Sequence, residues 1–148
     1  IEPEYAKLLI QKRYLVPPSG SATDAWPWPI KIRTLGTFTL ERDGKPIEFG
    51  RKTPKKPLEL LKAIITLGGE AVPETILADH LWPDAEGDVA HETFAKTLQR
   101  LRHLLGHEEA LPLRDGKVSL NRQVCWVDAL AFDALATEAL AGTANGSR

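Results

Sequence analysis

Three nitrogen-bearing side chains recur at helical spacing past the middle of the sequence: Lys96, Arg100 and His103. At about 100° per residue they lie away from an apolar stripe that includes Phe94 and Leu98. Ammonium, guanidinium and imidazole groups donate hydrogen bonds to phosphate oxygens and base edges, so this face is a candidate for contact with nucleic acid. The solvated face of an ordinary helix has the same pattern, and both interpretations stay open here.

The same helix offers further candidates on either side of these donors. Thr97 lies at the margin of the face and extends the candidate contacts to phosphates or bases. Arg100 suits a guanine edge through two hydrogen bonds, and Lys96 suits a phosphate. Glu92 would repel phosphate unless it accepts a hydrogen bond from a cytosine amino group. Arg102 lies nearer the apolar side, where we expect a structural ion pair.

A second basic segment precedes the first long helical pattern. It reads Arg51-Lys52-Thr53-Pro54-Lys55-Lys56. Free N–H groups and the helix dipole favour anions at a helix N-terminus, so we expect this segment to contact a phosphate backbone. The expected contacts are Lys52, Thr53, Lys55 and Lys56, with Arg114 and Lys117 added from a later hairpin. A solubilising loop has the same composition.

Period-two alternation in the first third of the sequence predicts an N-terminal antiparallel sheet of about three strands. The alternating apolar residues are Ile30, Ile32, Phe38, Leu40, Ile47 and Phe49. Asp43-Gly44 is a strong hairpin signal, because glycine tolerates the positive φ of such a turn.

Helical periodicity follows in three segments separated by Gly and Pro. Their predicted bounds are Pro57 to Gly68, Pro73 to Trp82 and about 88–105. Asp88 is the expected N-cap of the longest helix, and Gly106 is its expected terminator. Trp82, like Trp126, lies in an apolar run and is predicted to be a core residue.

A second hairpin, an extended return segment and a last helix complete the pattern. The hairpin is predicted between Leu111 and Leu120 around Asp115-Gly116, the extended segment near Val124 to Val127, and the helix over Ala129 to Leu140. This order predicts an α+β fold. Specifically, it predicts a winged helix-turn-helix with an N-terminal antiparallel sheet, a three-helix core and a C-terminal β-hairpin wing.

Composition divides the chain into three predicted regions. Residues 1–27 would be the end of a preceding helical region, Glu2 to Tyr14, with a Pro/Ser-rich linker. Residues 28–127 would form the winged-helix domain, and 128–148 the first helix of a following domain with a tail from Gly142. The sequence contains no Met and starts at Ile1, so we expect a piece of a longer protein.

Charge and cysteine content are those of a soluble intracellular protein. The formal net charge is -1, which argues mildly against nucleic acid, although local clustering sets the field at a binding face. The single Cys125 favours a reducing cytoplasm, where we expect association with the nucleoid. No stretch is long and apolar enough for a membrane span.

Catalytic and cofactor motifs are missing from the sequence. It has no phosphate-binding Gly-Lys-Ser/Thr loop, no Gly-rich dinucleotide fingerprint and no arguable catalytic triad. His103 and His107 are four residues apart but lack a matching ligand set. We therefore expect no enzyme activity, no cofactor and no metal.

Several short motifs together resemble a known family. They are Leu35-Gly36 with Phe38, Asp43-Gly44, the apolar helix Leu58 to Leu67, Leu77-Ala78 with Leu81-Trp82-Pro83-Asp84, Leu98-Gln99-Arg100-Leu101-Arg102 with Leu105-Gly106, and Trp126-Val127-Asp128 with Phe132. Over about residues 28–134 the chain resembles the OmpR/PhoB-type winged helix in its bacterial transcriptional activator branch. That branch includes the antibiotic regulatory proteins, in which a helical bacterial transcriptional activation domain follows. The family's Gly-Tyr pair near the end of the wing is missing at Val118-Ser119-Leu120.

The resemblance implies a recognition helix at about 88–105 in the major groove, with its contacts between Thr93 and His103. It also implies that the turn carrying Asp84 and Glu86 contacts RNA polymerase, whereas charge alone would make these residues merely solvated. We expect sequence-specific binding to double-stranded DNA at repeated half-sites, tandem or dimeric through other domains. The alternative is a protein-interaction module that docks a transcription partner, favoured by the net charge and the acidic turn.

Overall fold

The computed structural model describes residues 3–13, 15 and 26–145. The predicted linker at Val16 to Asp24, the helix ends at Glu2 and Tyr14, and the last three residues lie outside this part. The described chain is mixed α and β, as predicted. It divides into two compact units: unit 1 comprises the described residues up to Pro46 together with those from Cys125 onward, and unit 2 is Ile47–Val124.

Unit 1 contains a small sheet and two helices. Its elements are α1 (Pro3–Arg13), β1 (Ile30–Arg33), β2 (Thr39–Arg42), β3 (Lys45–Pro46), β7 (Cys125–Val127) and α5 (Asp128–Asn145). The strand order is β3-β2-β1-β7. Asp43 and Gly44 form the predicted two-residue turn between β2 and β3, with φ of 52° and 79°. Trp28, Ile30, Ile32 and Leu40 are buried, so the period-two pattern correctly marks the inner face.

Two sequence predictions for this sheet are wrong. The strand predicted to include Ile47 and Phe49 ends at Pro46, because a proline has no N–H to continue a ladder of hydrogen bonds. The sheet is also mixed rather than antiparallel. The segment predicted to return near Val127 pairs in parallel with β1, a pairing between residues almost a hundred positions apart that no local pattern encodes.

Asp128 ties the end of β1 to the start of α5. Its carboxylate accepts hydrogen bonds from the Thr34 N–H at 2.8 Å, the Thr34 hydroxyl at 2.9 Å and the Leu35 N–H at 3.0 Å. Burial alone would raise the pKa of Asp128, but these bonds and one from the Ala129 N–H outweigh it, so the pKa is lowered. The contact anchors a helix that is longer than predicted, since α5 passes through Gly142 and ends at Asn145.

Unit 2 contains three helices and a three-stranded sheet. Its elements are α2 (Lys55–Thr66), β4 (Val72–Pro73), α3 (Glu74–Leu81), α4 (Gly87–Leu105), a 3-10 helix (Glu108–Ala110), β5 (Leu113–Arg114) and β6 (Lys117–Val118). The strand order is β4-β6-β5. Each of the three helices packs against the other two. Leu61, Ile64, Leu77, Phe94 and Leu101 are fully buried between them, as the apolar periodicity predicts.

Two tryptophans lie differently from the prediction. Trp82 and Trp126 are half-buried rather than core residues. Each ring has a cation nearby: Lys56 lies 5.9 Å from the centre of the Trp82 ring, and Arg33 lies 5.6 Å from that of Trp126. Trp28 is the buried one. Among the described residues, no helix combines the length and the apolarity needed to cross a bilayer.

Candidate nucleic-acid interface

The basic segment before the first long helix is partly inside it. Helix α2 begins at Lys55, two residues earlier than predicted, and Pro57 lies in its first turn. This is tolerated because the first N–H groups of a helix have no partner within it, and the ladder starts where the Leu58 N–H donates to the Pro54 carbonyl at 3.2 Å. Lys55 therefore stands at the positive end of the helix dipole, where an anion would be favoured.

Helix α4 presents one buried and one exposed face. Ala90, Phe94, Leu98, Leu101 and Leu105 are buried, as predicted. The helix begins at Gly87, so Asp88 lies in its first turn and is not the N-cap; Glu86 holds that position without a side-chain bond. Gly106 ends the helix in the left-handed conformation with φ of 76°, as predicted.

The two basic segments meet along one groove, which we call the basic groove. Its volume is about 830 Å³, and its lining combines the start of α2 with the second half of α4. The lining residues are Thr53, Pro54, Lys55, Lys56, Pro57, Lys96, Gln99, Arg100, His103 and Leu104. Six of the residues predicted as DNA contacts are thus brought together, although they lie about forty positions apart in the sequence.

Three of the contacts predicted on these two segments fall outside this groove. Lys52 is exposed and Thr93 is half-buried, and neither lines it. The prediction for Thr97 is wrong. This side chain is 5% exposed, and its hydroxyl donates to the Thr93 carbonyl at 2.8 Å. Thr97 is three residues after Phe94 and four before Leu101, so it belongs to the buried stripe and faces neither phosphate nor base.

The side chain of Lys56 already has partners within unit 2. Its ammonium group donates to the Leu81 carbonyl at 3.2 Å, pairs with Glu59 at 2.9 Å and lies 5.9 Å from the centre of the Trp82 ring. A cation at the end of α3 is favoured by the helix dipole. Lys56 thus stabilises the C-terminus of α3, which competes with the predicted phosphate contact, although Lys56 also lines the groove.

The remaining cations differ in how freely they can bind. Lys96 pairs with Glu92 at 2.6 Å, and the hydrogen bond and charge of Lys96 lower the pKa of Glu92. Both groups are exposed, so the pair contributes little stability and is readily released. Within residues 26–145, neither Lys55 nor Arg100 makes a side-chain hydrogen bond or an ion pair. These two are the cations best placed to meet an outside anion.

A second basic surface, the hairpin groove, lies at the predicted β5–β6 hairpin. Its turn is Asp115-Gly116, with φ of 51° and 71°, and the exposed side chains of Arg114 and Lys117 lie opposite each other across it. The hairpin groove encloses about 580 Å³ and also includes Arg122, which sequence reasoning missed. Arg122 follows the hairpin in an irregular turn. The one sequence feature that could have identified it as a groove residue is its position two residues after Leu120, the last apolar residue of the hairpin pattern.

The hairpin is fixed to the helices by backbone contacts. The Glu74 N–H donates to the Gly116 carbonyl at 2.8 Å, and the Leu120 N–H to the Gly69 carbonyl at 2.8 Å. Arg102 contributes a third link, because its Nε and Nη2 donate to the Leu111 carbonyl at 3.0 and 2.7 Å. Its structural role is as predicted, but its partner is a backbone carbonyl and not an acidic residue.

The first half of α4 borders a different surface, which we call the acidic pocket. It encloses about 100 Å³ between α3 and α4. Its lining residues are Glu74, Thr75, Ala78, Asp79, Gly87, Ala90, His91 and Phe94. Glu74 pairs with His91 at 3.1 Å. Asp84 and Glu86 are exposed in the adjoining turn and do not line the pocket, so the polymerase contact stays a prediction.

Charge is thus divided along unit 2. Between residues 63 and 95 the sequence contains seven carboxylates and no Lys or Arg: Glu70, Glu74, Asp79, Asp84, Glu86, Asp88 and Glu92. The described residues include no cluster of three or more His, Cys, Asp or Glu side chains that could hold a metal ion. Comparison with models of known protein families found no match, and neither did a search of curated proteins.

Proposed function

We propose that unit 2 is a winged helix-turn-helix that binds double-stranded DNA in a sequence-specific manner, as part of a bacterial transcription regulator. The observation that carries this proposal is the basic groove. Two basic segments from distant parts of the sequence line one open surface, while the acidic residues of unit 2 concentrate elsewhere. An α-helix fits the width of the major groove, and the second half of α4 supplies the donors for it.

The free cations have distinct roles in this proposal. Lys55, at the N-terminus of α2, binds a phosphate, because both its ammonium group and the helix dipole attract the anion. Arg100 lies on the opposite wall of the groove and binds a guanine edge or an adjacent phosphate. The hairpin groove adds backbone contacts through Arg114, Lys117 and Arg122. Phosphate contacts supply affinity, and contacts to base edges supply specificity.

A single unit of this size buries little DNA surface, so strong binding needs several copies on repeated half-sites. The resemblance to OmpR/PhoB-type regulators supports tandem or dimeric binding through other domains. It also supports a cytoplasmic protein associated with the nucleoid, with RNA polymerase as a partner at Asp84 and Glu86.

The acidic pocket favours a second candidate function, docking of a protein partner without strong DNA binding. It is lined by the carboxylates Glu74 and Asp79, and the two helices that form it also carry the exposed apolar side chains Ile76 and Val89. Such a surface suits a basic protein segment and repels nucleic acid. The two candidates differ in the half of α4 that they use, and mutagenesis can therefore separate them.

The test is binding of the whole chain to labelled duplex DNA, measured by fluorescence anisotropy from about 50 to 200 mM salt. We expect log affinity to fall linearly with log salt. The double variant Lys55→Ala/Arg100→Ala should bind roughly tenfold or more weakly. Its salt slope should be smaller by about 0.9 for each phosphate that the variant no longer neutralises. Asp79→Asn, in the acidic pocket, is the control and should not weaken binding.

Absence of duplex binding at the lowest salt would refute the DNA proposal. Equal affinity of the wild-type chain and the double variant would refute the assignment of the basic groove. Capture of a basic peptide that Asp79→Asn abolishes would instead support the second candidate.

A further inference from the structure

Glu92 is an anion on the exposed face of α4, one helical turn before Lys96, which lines the basic groove. The centre of the buried face lies between Phe94 and Leu101. At about 100° per residue, Glu92, Gln99 and His103 lie within about 30° of the opposite direction. The Glu92 side chain is 67% exposed. It therefore stands where a base-reading residue would stand, among groups that donate hydrogen bonds.

The carboxylate of Glu92 is oriented by its neighbour. The Lys96 ammonium group donates to Oε1 of Glu92 at 2.6 Å, one helical turn away. This contact orients the carboxylate along the outer face of the helix and lowers the pKa of Glu92, a carboxyl that is ionised at neutral pH in any case. A second carboxylate oxygen, Oε2, remains available as an acceptor, since the contact occupies Oε1.

An ionised carboxylate in the major groove is selective. It is repelled by phosphates and by the acceptor atoms of guanine, and it is stabilised only by a donor on a base edge. Cytosine presents a lone amino donor there, whereas the amino group of adenine stands beside the N7 acceptor. Glutamate therefore favours cytosine and penalises the other bases.

We propose that Glu92 is a specificity-determining residue that selects a cytosine in the DNA site, which rests on the proposed function of unit 2. Its action is mainly exclusion: sites without cytosine at this position set the carboxylate against acceptor atoms, a cost that sharpens discrimination without adding affinity. Gln99 lies seven residues further, about 10 Å along the axis, which corresponds to about three base-pair steps. The cytosine should therefore lie near one end of the contacted segment.

The test selects binding sites from a random duplex library, using the whole chain and two substitutions of Glu92. We expect the wild-type chain to enrich sites with cytosine at one position. Glu92→Ala should bind the pool at least as tightly, with discrimination at that position reduced roughly tenfold or more. Glu92→Gln should shift the preference there toward adenine, because an amide pairs with both the amino group and N7 of adenine.

Glu70→Ala is the matched control, because it removes an exposed carboxylate of unit 2 outside α4. It should leave the enriched sites unchanged. Identical enriched sites for the wild-type chain and Glu92→Ala would overturn the role of Glu92 while leaving DNA binding intact. The same loss of discrimination in Glu70→Ala would overturn it too, because the effect would then be one of net charge. A wild-type chain that binds no duplex would refute the proposed function itself, and the role of Glu92 with it.

Discussion

The basic groove and the acidic pocket share one helix, α4, but take their other walls from different elements. The second half of α4 faces the start of α2, where Lys55 and Arg100 have no protein partner among the described residues. The first half faces α3, where Glu74 and Asp79 contribute negative charge. A net charge of -1 averages over these two surfaces. The comparison shows that basic and acidic surfaces border the two halves of one helix, so the net charge of the chain describes neither surface.

The largest loss of stability should come from a substitution that disrupts α4 itself, because both the basic groove and the acidic pocket depend on this helix. Phe94 is fully buried on the helix that they share. Phe94→Ala should lower the free energy of unfolding by about 3–5 kcal/mol, because apolar burial is reduced and a cavity forms. Denaturant titration measures this decrease. Phe132→Ala removes an equally large side chain that is 63% exposed, and it should change stability far less. Similar decreases in both variants would contradict the packing described here.

Arg102 sharpens the comparison, because it is a cation of α4 that belongs to neither region. Arg102→Ala leaves the carbonyl of the buried Leu111 without its two donors, so we expect stability to fall by about 1–3 kcal/mol. Thermal unfolding measures it. Arg100→Ala, two residues earlier and exposed, should change stability by about 0.5 kcal/mol or less. If Arg100→Ala lowered stability and Arg102→Ala did not, the division between structural and binding cations would be wrong.

A smaller loss of stability than in Phe94→Ala is expected from a change in unit 1, which has no part in the comparison. Asp128→Asn weakens the contact with Thr34 and Leu35 and should lower stability by about 1 kcal/mol. Its DNA affinity should match that of the wild-type chain.

The same carboxylate predicts a pH dependence. Because the folded state lowers the pKa of Asp128, its contribution to stability is present above the pKa of the unfolded chain. It is lost as the pH falls through the lower folded value. Urea titrations at descending acidic pH should show this decline in the wild-type chain and a shallower one in Asp128→Asn. Parallel curves for the two proteins would contradict the role assigned to Asp128.

Local chemistry made much of the fold predictable from the sequence. The turns at Asp43 and Asp115 each precede a glycine with positive φ, and the burial of Phe94 and Leu101 follows from helical spacing. Predictions failed where tertiary contacts decide. The parallel pairing of β7 joins distant segments, and the start of α2 at Lys55 depends on a first turn that tolerates proline.

The candidate interface was predictable as two basic segments but not as one groove. Spacing placed Lys96 and Arg100 on an exposed face, while the meeting of this face with the start of α2 depends on helix packing. Spacing alone also could not show that Lys56 is held at the end of α3, or that Arg122 lies beside the hairpin. The prediction for Thr97 failed because a residue at the margin between the two faces of a helix can be either buried or exposed, and Thr97 is buried.

The most direct test of the central claim is a nuclear magnetic resonance titration of the chain with duplex DNA, recorded on backbone amides. We predict that the largest shifts map to residues 53–57 and 96–104, with few at 74–79 and 87–91. Arg100→Ala should diminish the shifts in both parts of the basic groove, because the two walls bind one ligand. Shifts confined to the acidic pocket, or no shifts at low salt, would contradict the claim that DNA binds along the basic groove.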